Sequence, residues 1–173
     1  MTGDNSQTGQ LAFIRIPESV AAQLGSFRVD PEIPVPVELG PNGPDTSSLS
    51  WEMIVAGMLR FLAGQPEHEH ADYYRDFVNA VKPDLAVELS TAGVLKAKNR
   101  EFDLAEEIFQ ALAGLQPQEP EPYLNLAILH EDRADVLEQA GREAEAEAQR
   151  EQTFALYKHL LAMEQPGPDS YFN

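Results

Sequence analysis

Pro120-Glu121-Pro122-Tyr123-Leu124-Asn125 and, 48 residues further on, Pro168-Asp169-Ser170-Tyr171-Phe172-Asn173 are two copies of one phrase. Each opens on a proline, which suits a first helical turn, where the missing N–H would have had no intrahelical partner. A helix start that recurs implies stacked helical hairpins, and such a repeat is read before composition because it sets the architecture.

Upstream of the first copy, Leu89, Ala92-Gly93 and Lys96 fall on one helix, and Phe102, Ala105 and Phe109 with a closing Pro117 on the next. Small residues at Ala92, Gly93 and Ala105 let paired helices approach closely, while Leu89, Phe102 and Phe109 fill the seam. This pattern resembles the tetratricopeptide repeat family from Val87 to the C-terminus, about half the chain. It departs at Lys96, where the family commonly has an aromatic. The next unit begins at Tyr123, 34 residues after Leu89, which is the family's period. Leu126-Ala127 takes its small-pair position and His130 its bulky one.

The second helix of that unit comes late, because the 48-residue spacing exceeds the period by 14. Fourteen residues shared between two helices add about two turns to each and preserve helical phase. The spacing therefore predicts helices over Glu121 to Ala140 and Arg142 to Met163, with Gly141 at the bend. Ala140, Ala144 and Ala148 are expected between them or on an alanine-rich face, with the glutamates outside. Thr153, Tyr157, Leu160, Leu161 and Pro166 then supply the second-helix pattern, Thr153 standing for the usual Ala. Leu89, Ala92, Gly93, Ala105, Phe109, Leu126 and Ala127 are expected buried at seams. Residues 167–173 read as the start of a third unit, with Tyr171 and Phe172 packing around Tyr157 and Leu161 or on a second copy of the chain.

The N-terminal half reads differently. Residues 1–10 are polar and suggest a disordered tail, and residues 11–50 suggest an arm. Within the arm, Leu11 to Ile16 is an extended piece, and a short helix follows from Pro17 to a stop at Gly25. Prolines at 31, 34, 36, 41 and 44 exclude regular helix, so Ile33-Pro34-Val35-Pro36-Val37 is polyproline-like and Asn42-Gly43-Pro44 a turn. The arm should lie across helices, capping the first pair or filling a groove, because Ile33, Val35, Val37 and Leu39 need cover. Residues 51–83 carry a degenerate helical pair. Ile54, Val55, Met58, Leu59 and Leu62 follow Trp51 at helical spacing, and a second helix from about Glu69 to Val81 should bury Tyr73, Tyr74, Phe77 and Val81 and stop before Pro83. A serine before Trp51 should cap the first, and Asp84 a third helix reaching Lys98. Residues 84–118, 119–166 and 167–173 are then the three repeat units. The expected fold is all-α, a right-handed solenoid of antiparallel helix pairs with an extended proline-rich arm.

A net charge of −17 repels phosphate backbones and anionic membranes and favours basic partners in encounter. No apolar run approaches the roughly 20 residues of a membrane span. Residues 1–10 lack the features of a signal peptide, and the absence of cysteine removes disulfides and thiolate chemistry, so a cytoplasmic setting is expected. His68-Glu69-His70 offers two metal-ligand types in one segment without a placed third, and a polar loop is the competing reading. His130-Glu131 begins like a zinc-protease helix, but Ala134 stands where its second histidine belongs. No phosphate loop or nucleophile elbow is present. The chain reads as a non-enzyme with no cofactor.

What the family resemblance implies is a concave groove. Aligned with the family, it is lined by Val87, Ser90, Val94 and Ala97 in the first unit and by Leu124, Asn125, Ile128 and Glu131 in the second. Asn125 and Asn173 stand where the family often places an asparagine that bonds a bound peptide backbone. The basic clamp some members use for a C-terminal carboxylate is replaced by Ser90, Val94 and Glu121, which disfavours that ligand. Alternatively, Val87, Val94 and Ile128 pack against a neighbouring helix or the arm. The implied role is a protein-interaction scaffold or adaptor. Its rivals are a module self-associating through its C-terminal residues and, more remotely, a helical metalloprotein using His68 and His70.

Overall fold

A computed structural model describes residues 11–21, 27–38 and 49–164, which are mostly helical. Its contacts divide the chain into two units, Met1–Pro83 and Asp84–Asn173. Tyr171, Phe172, Asn173, Pro166, Gly25, Leu39 and the Asn42-Gly43-Pro44 turn lie outside the described residues.

In the first unit, strand β1 (Leu11–Ile14) pairs antiparallel with β2 (Val35–Glu38), placing Leu11 opposite Glu38 and Phe13 opposite Pro36. The mostly helical expectation holds, but the polyproline-like reading of the extended arm is corrected here to a paired strand. The prolines forbid a helix, but the backbone polar groups of Val35–Glu38 still need partners, and β1 supplies them. Both strands are edges of a two-stranded sheet, where a residue without an N–H is tolerated. Between the strands runs the short helix α1 (Glu18–Ala21), with the Pro17 carbonyl accepting from Val20 and Ala21.

β2 lies on helix α2 (Trp51–Gly64), which is followed by α3 (Ala71–Val81). Val35 and Val37 join Ile54, Met58, Phe61 and Leu62 of α2 and Tyr74, Phe77 and Val78 of α3 in the core. The contact is close because Gly57 has no side chain; a Cβ there would sit 2.2 Å from the Pro36 carbonyl oxygen. Two tyrosines fasten the arm to α3. The Tyr74 hydroxyl donates to the Pro34 carbonyl at 2.7 Å, and the Asp30 N–H donates to the Tyr73 hydroxyl at 3.1 Å. Burial pushes the Tyr74 phenol up to about 12. The predicted capping fails in its chemistry: Ser50 and Asp84 occupy the N-cap positions of α2 and of the next helix, but neither side chain makes the cap bond.

The second unit is a run of helices, α4 (Leu85–Lys98), α5 (Phe102–Leu115), α6 (Pro120–Gln139) and α7 (Glu143–Glu164), each packed on the next. The long hairpin over α6 and α7 matches the predicted helices to within a residue or two. Its core joins Ala105 and Phe109 of α5 to Leu126 and Leu129 of α6, with Ala97 and Leu156 packed alongside. Gly93 gives α4 its close approach, since a Cβ there would meet the Phe109 ring at 2.4 Å. At the α6–α7 seam, Ala127 is buried and Thr153 takes the position across from it. The Thr153 hydroxyl bonds the Gln149 carbonyl at 3.2 Å, which satisfies its polar group inside the seam.

Three seam expectations are corrected. Ala92 is exposed and Leu89 only half-buried. Ala92 precedes buried Gly93 by one residue, about 100° around the helix, which turns it off the covered face. Ala140, Ala144 and Ala148 are exposed, and Ala146 is the alanine that packs on Ala134 and Leu137. The inward stripe of α7 runs Ala146, Gln149, Thr153, Leu156, and the other alanines fall between its steps.

The two hairpins turn in the same way. Gly141 N–H bonds the Glu138 carbonyl and Arg142 N–H that of Leu137, while Arg100 N–H bonds Ala97 and Glu101 N–H bonds Lys96. In this helix ending the residue after the cap is left-handed, with φ 74° at Gly141 and 59° at Arg100. An L side chain in that region costs about 1–2 kcal/mol, partly offset by the roughly 0.5–1 kcal/mol that glycine's flexibility costs on folding. Arg100→Gly is therefore expected to stabilise the chain by about 0.5–1 kcal/mol. A denaturant midpoint lower than that of the unmodified chain would count against this turn geometry.

Candidate functional site

Of the eight predicted groove residues, four are exposed apolar side chains. Val87 is 70 % exposed, Val94 36 %, Leu124 43 % and Ile128 44 %. Val87, Val94 and Ile128 are thus not covered by a neighbouring helix. Val87 and Val94 are seven residues apart on α4, and Leu124 and Ile128 four apart on α6, so each pair forms a stripe along its helix.

The two helices touch along this side. The Ser90 hydroxyl donates to Glu121 Oε1 at 2.8 Å, tying α4 to α6. A hollow of about 350 Å³ opens at that end, between Val87 and Ser90 of α4, Leu112 and Gln116 of α5, and Glu119 and Glu121. A second hollow lies at the other end, where Ala97, Lys98 and Arg100 face Asp132, Asp135 and Val136. Ala97 is half-buried against the core, and Glu131 is exposed. Asn125 is also half-buried, and its Nδ2 is buried without a hydrogen-bond partner. Such an orphaned donor costs about 1–3 kcal/mol.

His130, read from sequence as a bulky seam residue, is buried at the meeting of three helices. Its Nδ1 is 2.8 Å from Gln149 Oε1 of α7, and its Nε2 is 4.0 Å from Glu106 of α5. Arg133 extends this link, pairing with Asp103 at 2.9 Å and Glu106 at 3.3 Å. These contacts hold α6 in place from behind the exposed face. The sequence offered a signal for them in the i, i+3 spacing of the acids on α5 and of His130 and Arg133 on α6.

His68 and His70 sit in an aromatic cluster. The His68 ring packs edge-on against Phe61 at 5.0 Å and lies 5.4 Å from His70, and His68 Nδ1 accepts the His70 N–H at 3.2 Å. That bond occupies one of the lone pairs a metal would need. Among the described residues no group of three or more His, Asp or Glu side chains is placed to hold a metal ion, and no helix is long and apolar enough to cross a membrane.

No family model, no curated protein and no solved structure matches this chain.

Proposed function

We propose that the second unit is a right-handed helical repeat of the tetratricopeptide type, acting as an interaction scaffold or adaptor in a cytoplasmic setting. A protein segment lies along the α4/α6 face. The observation that carries this reading is the row of exposed Val87, Val94, Leu124 and Ile128 on two touching helices. Apolar side chains grouped on one face mark interaction surfaces more often than isolated ones do.

The test is a selection from a random peptide library on the 173-residue chain. Selected peptides should lose binding to Ile128→Glu, whose side chain is exposed enough for the change to be tolerated in folding. Asn125→Leu should be about 1 kcal/mol more stable in urea, since it removes the orphaned donor. Peptides that bind Ile128→Glu as well as the unmodified chain would overturn the reading.

A second reading is favoured by α7, on which Phe154 is 73 % and Leu161 62 % exposed. A second copy of the chain docking there would cover them. Sedimentation over a range of concentrations separates the two readings, since only this one requires a dimer.

A further inference from the structure

We infer that the α4/α6 face selects a segment whose apolar side chains are flanked by lysine or arginine. This rests on the peptide-binding reading above and adds the charge of the ligand. Along α6, Leu124 and Ile128 are bracketed by Glu121 and Glu131, which are both exposed. Ten residues of helix separate the two acids by about 15 Å, the span of four or five residues of extended chain.

The Glu121 carboxylate is held in place by a hydroxyl group. Ser90 donates to Glu121 at 2.8 Å. The Tyr157 phenol is raised by burial first and then by the charge of the nearby Glu131 carboxylate. A carboxylate has about four acceptor positions, so each acid keeps room for a further donor. Neither is in an ion pair with a described cation. The hollow beside Val87 adds Glu119 and holds no cation, while in the hollow at the other end Lys98 and Arg100 balance Asp132 and Asp135. The face is therefore an apolar strip with unneutralised acids at its two ends, of which Glu121 is fixed. An acid already oriented by a hydroxyl, as Glu121 is, loses little side-chain freedom when a partner's cation arrives.

Three labelled peptides with blocked ends test this by fluorescence anisotropy on the 173-residue chain. One carries two alternating leucines between lysine pairs, the second the same leucines between glutamate pairs, and the third serines between lysine pairs. The first should bind about tenfold more tightly than the second, the scale of two partly exposed ion pairs. That preference should largely vanish in the Glu121→Gln, Glu131→Gln double variant. It should persist in Glu143→Gln, Glu147→Gln, which removes the same charge from α7 outside the face. Equal binding of both leucine peptides, or an equal loss of preference in the α7 variant, overturns the inference while leaving the binding face standing. A serine peptide that binds as well as the first leucine peptide overturns the binding face itself.

Discussion

Gly57→Ala is expected to destabilise the first unit by about 3 kcal/mol, although alanine is the better helix former by about 1 kcal/mol. The added Cβ would lie 2.2 Å from the Pro36 oxygen, 2.7 Å from the Pro36 carbonyl carbon and 2.7 Å from the Val37 Cα. All three atoms are backbone, so no side-chain rotation relieves the overlap and β2 has to lift from α2. Overpacking alone costs about 1–3 kcal/mol. Lifting the strand also uncovers Val35 and Val37, each worth about 1.5–3 kcal/mol when fully buried. Gly64 is the control, since a Cβ there meets nothing within 4 Å. Urea midpoints should fall for Gly57→Ala and stay level or rise for Gly64→Ala. A Gly57→Ala chain as stable as the original would mean that β2 does not rest on α2.

Gly93→Leu is expected to cost about 3 kcal/mol, the upper part of the overpacking range. Here the obstruction is a side chain: the Phe109 ring atoms lie 2.4, 2.8 and 2.9 Å from the added Cβ. Phe109 is itself buried and in the core shared by α5 and α6, so the ring has little space into which to move. Because the clash is with a side chain, it can be relieved in a way the Gly57 clash cannot. Gly93→Ala combined with Phe109→Leu should be less destabilised than the sum of the single changes, the sign of coupling between touching residues. Thermal melts of the four chains decide this. A Gly93→Leu chain that melts with the original would rule out the α4–α5 approach.

The long hairpin was legible because its signals are local and redundant. The repeated proline start, Gly141 and a length excess of whole turns agree on α6, the bend and α7. Phasing α7 was harder. Alanines at 140, 144, 146 and 148 look alike, and only the full stripe through Thr153 and Leu156 selects Ala146. The exposure of Val87, Val94, Leu124 and Ile128 follows from helical spacing, but Glu119 and the Ser90–Glu121 bond depend on how two non-consecutive helices meet. The arm was the least legible part. Nothing within residues 33–38 indicates that residues 11–14 will pair with them, and Gly57 reads as an ordinary weak spot in a helix until the strand above it is seen. Arg100 is hard to read for a related reason: its left-handed backbone is not a conformation arginine itself prefers.

The fastening of the arm to α3 bears on the order in which the chain acquires its structure. The bonds from Tyr74 to Pro34 and from Asp30 to Tyr73 join residues 40 and 43 apart. In the second unit each helix packs chiefly on the next, and the side-chain link from Ser90 to Glu121 joins residues 31 apart. Rates fall as the mean separation of contacting residues rises, because a long loop is closed before its contacts return any free energy. The first unit is therefore the slower of the two to form. Although β1 and β2 leave the ribosome first, they have no surface to settle on until Tyr74 has been made and α2 and α3 have paired. Through that interval Val35 and Val37 sit on an unpaired strand edge, and the prolines at 34 and 36 discourage that edge from recruiting another chain in their place.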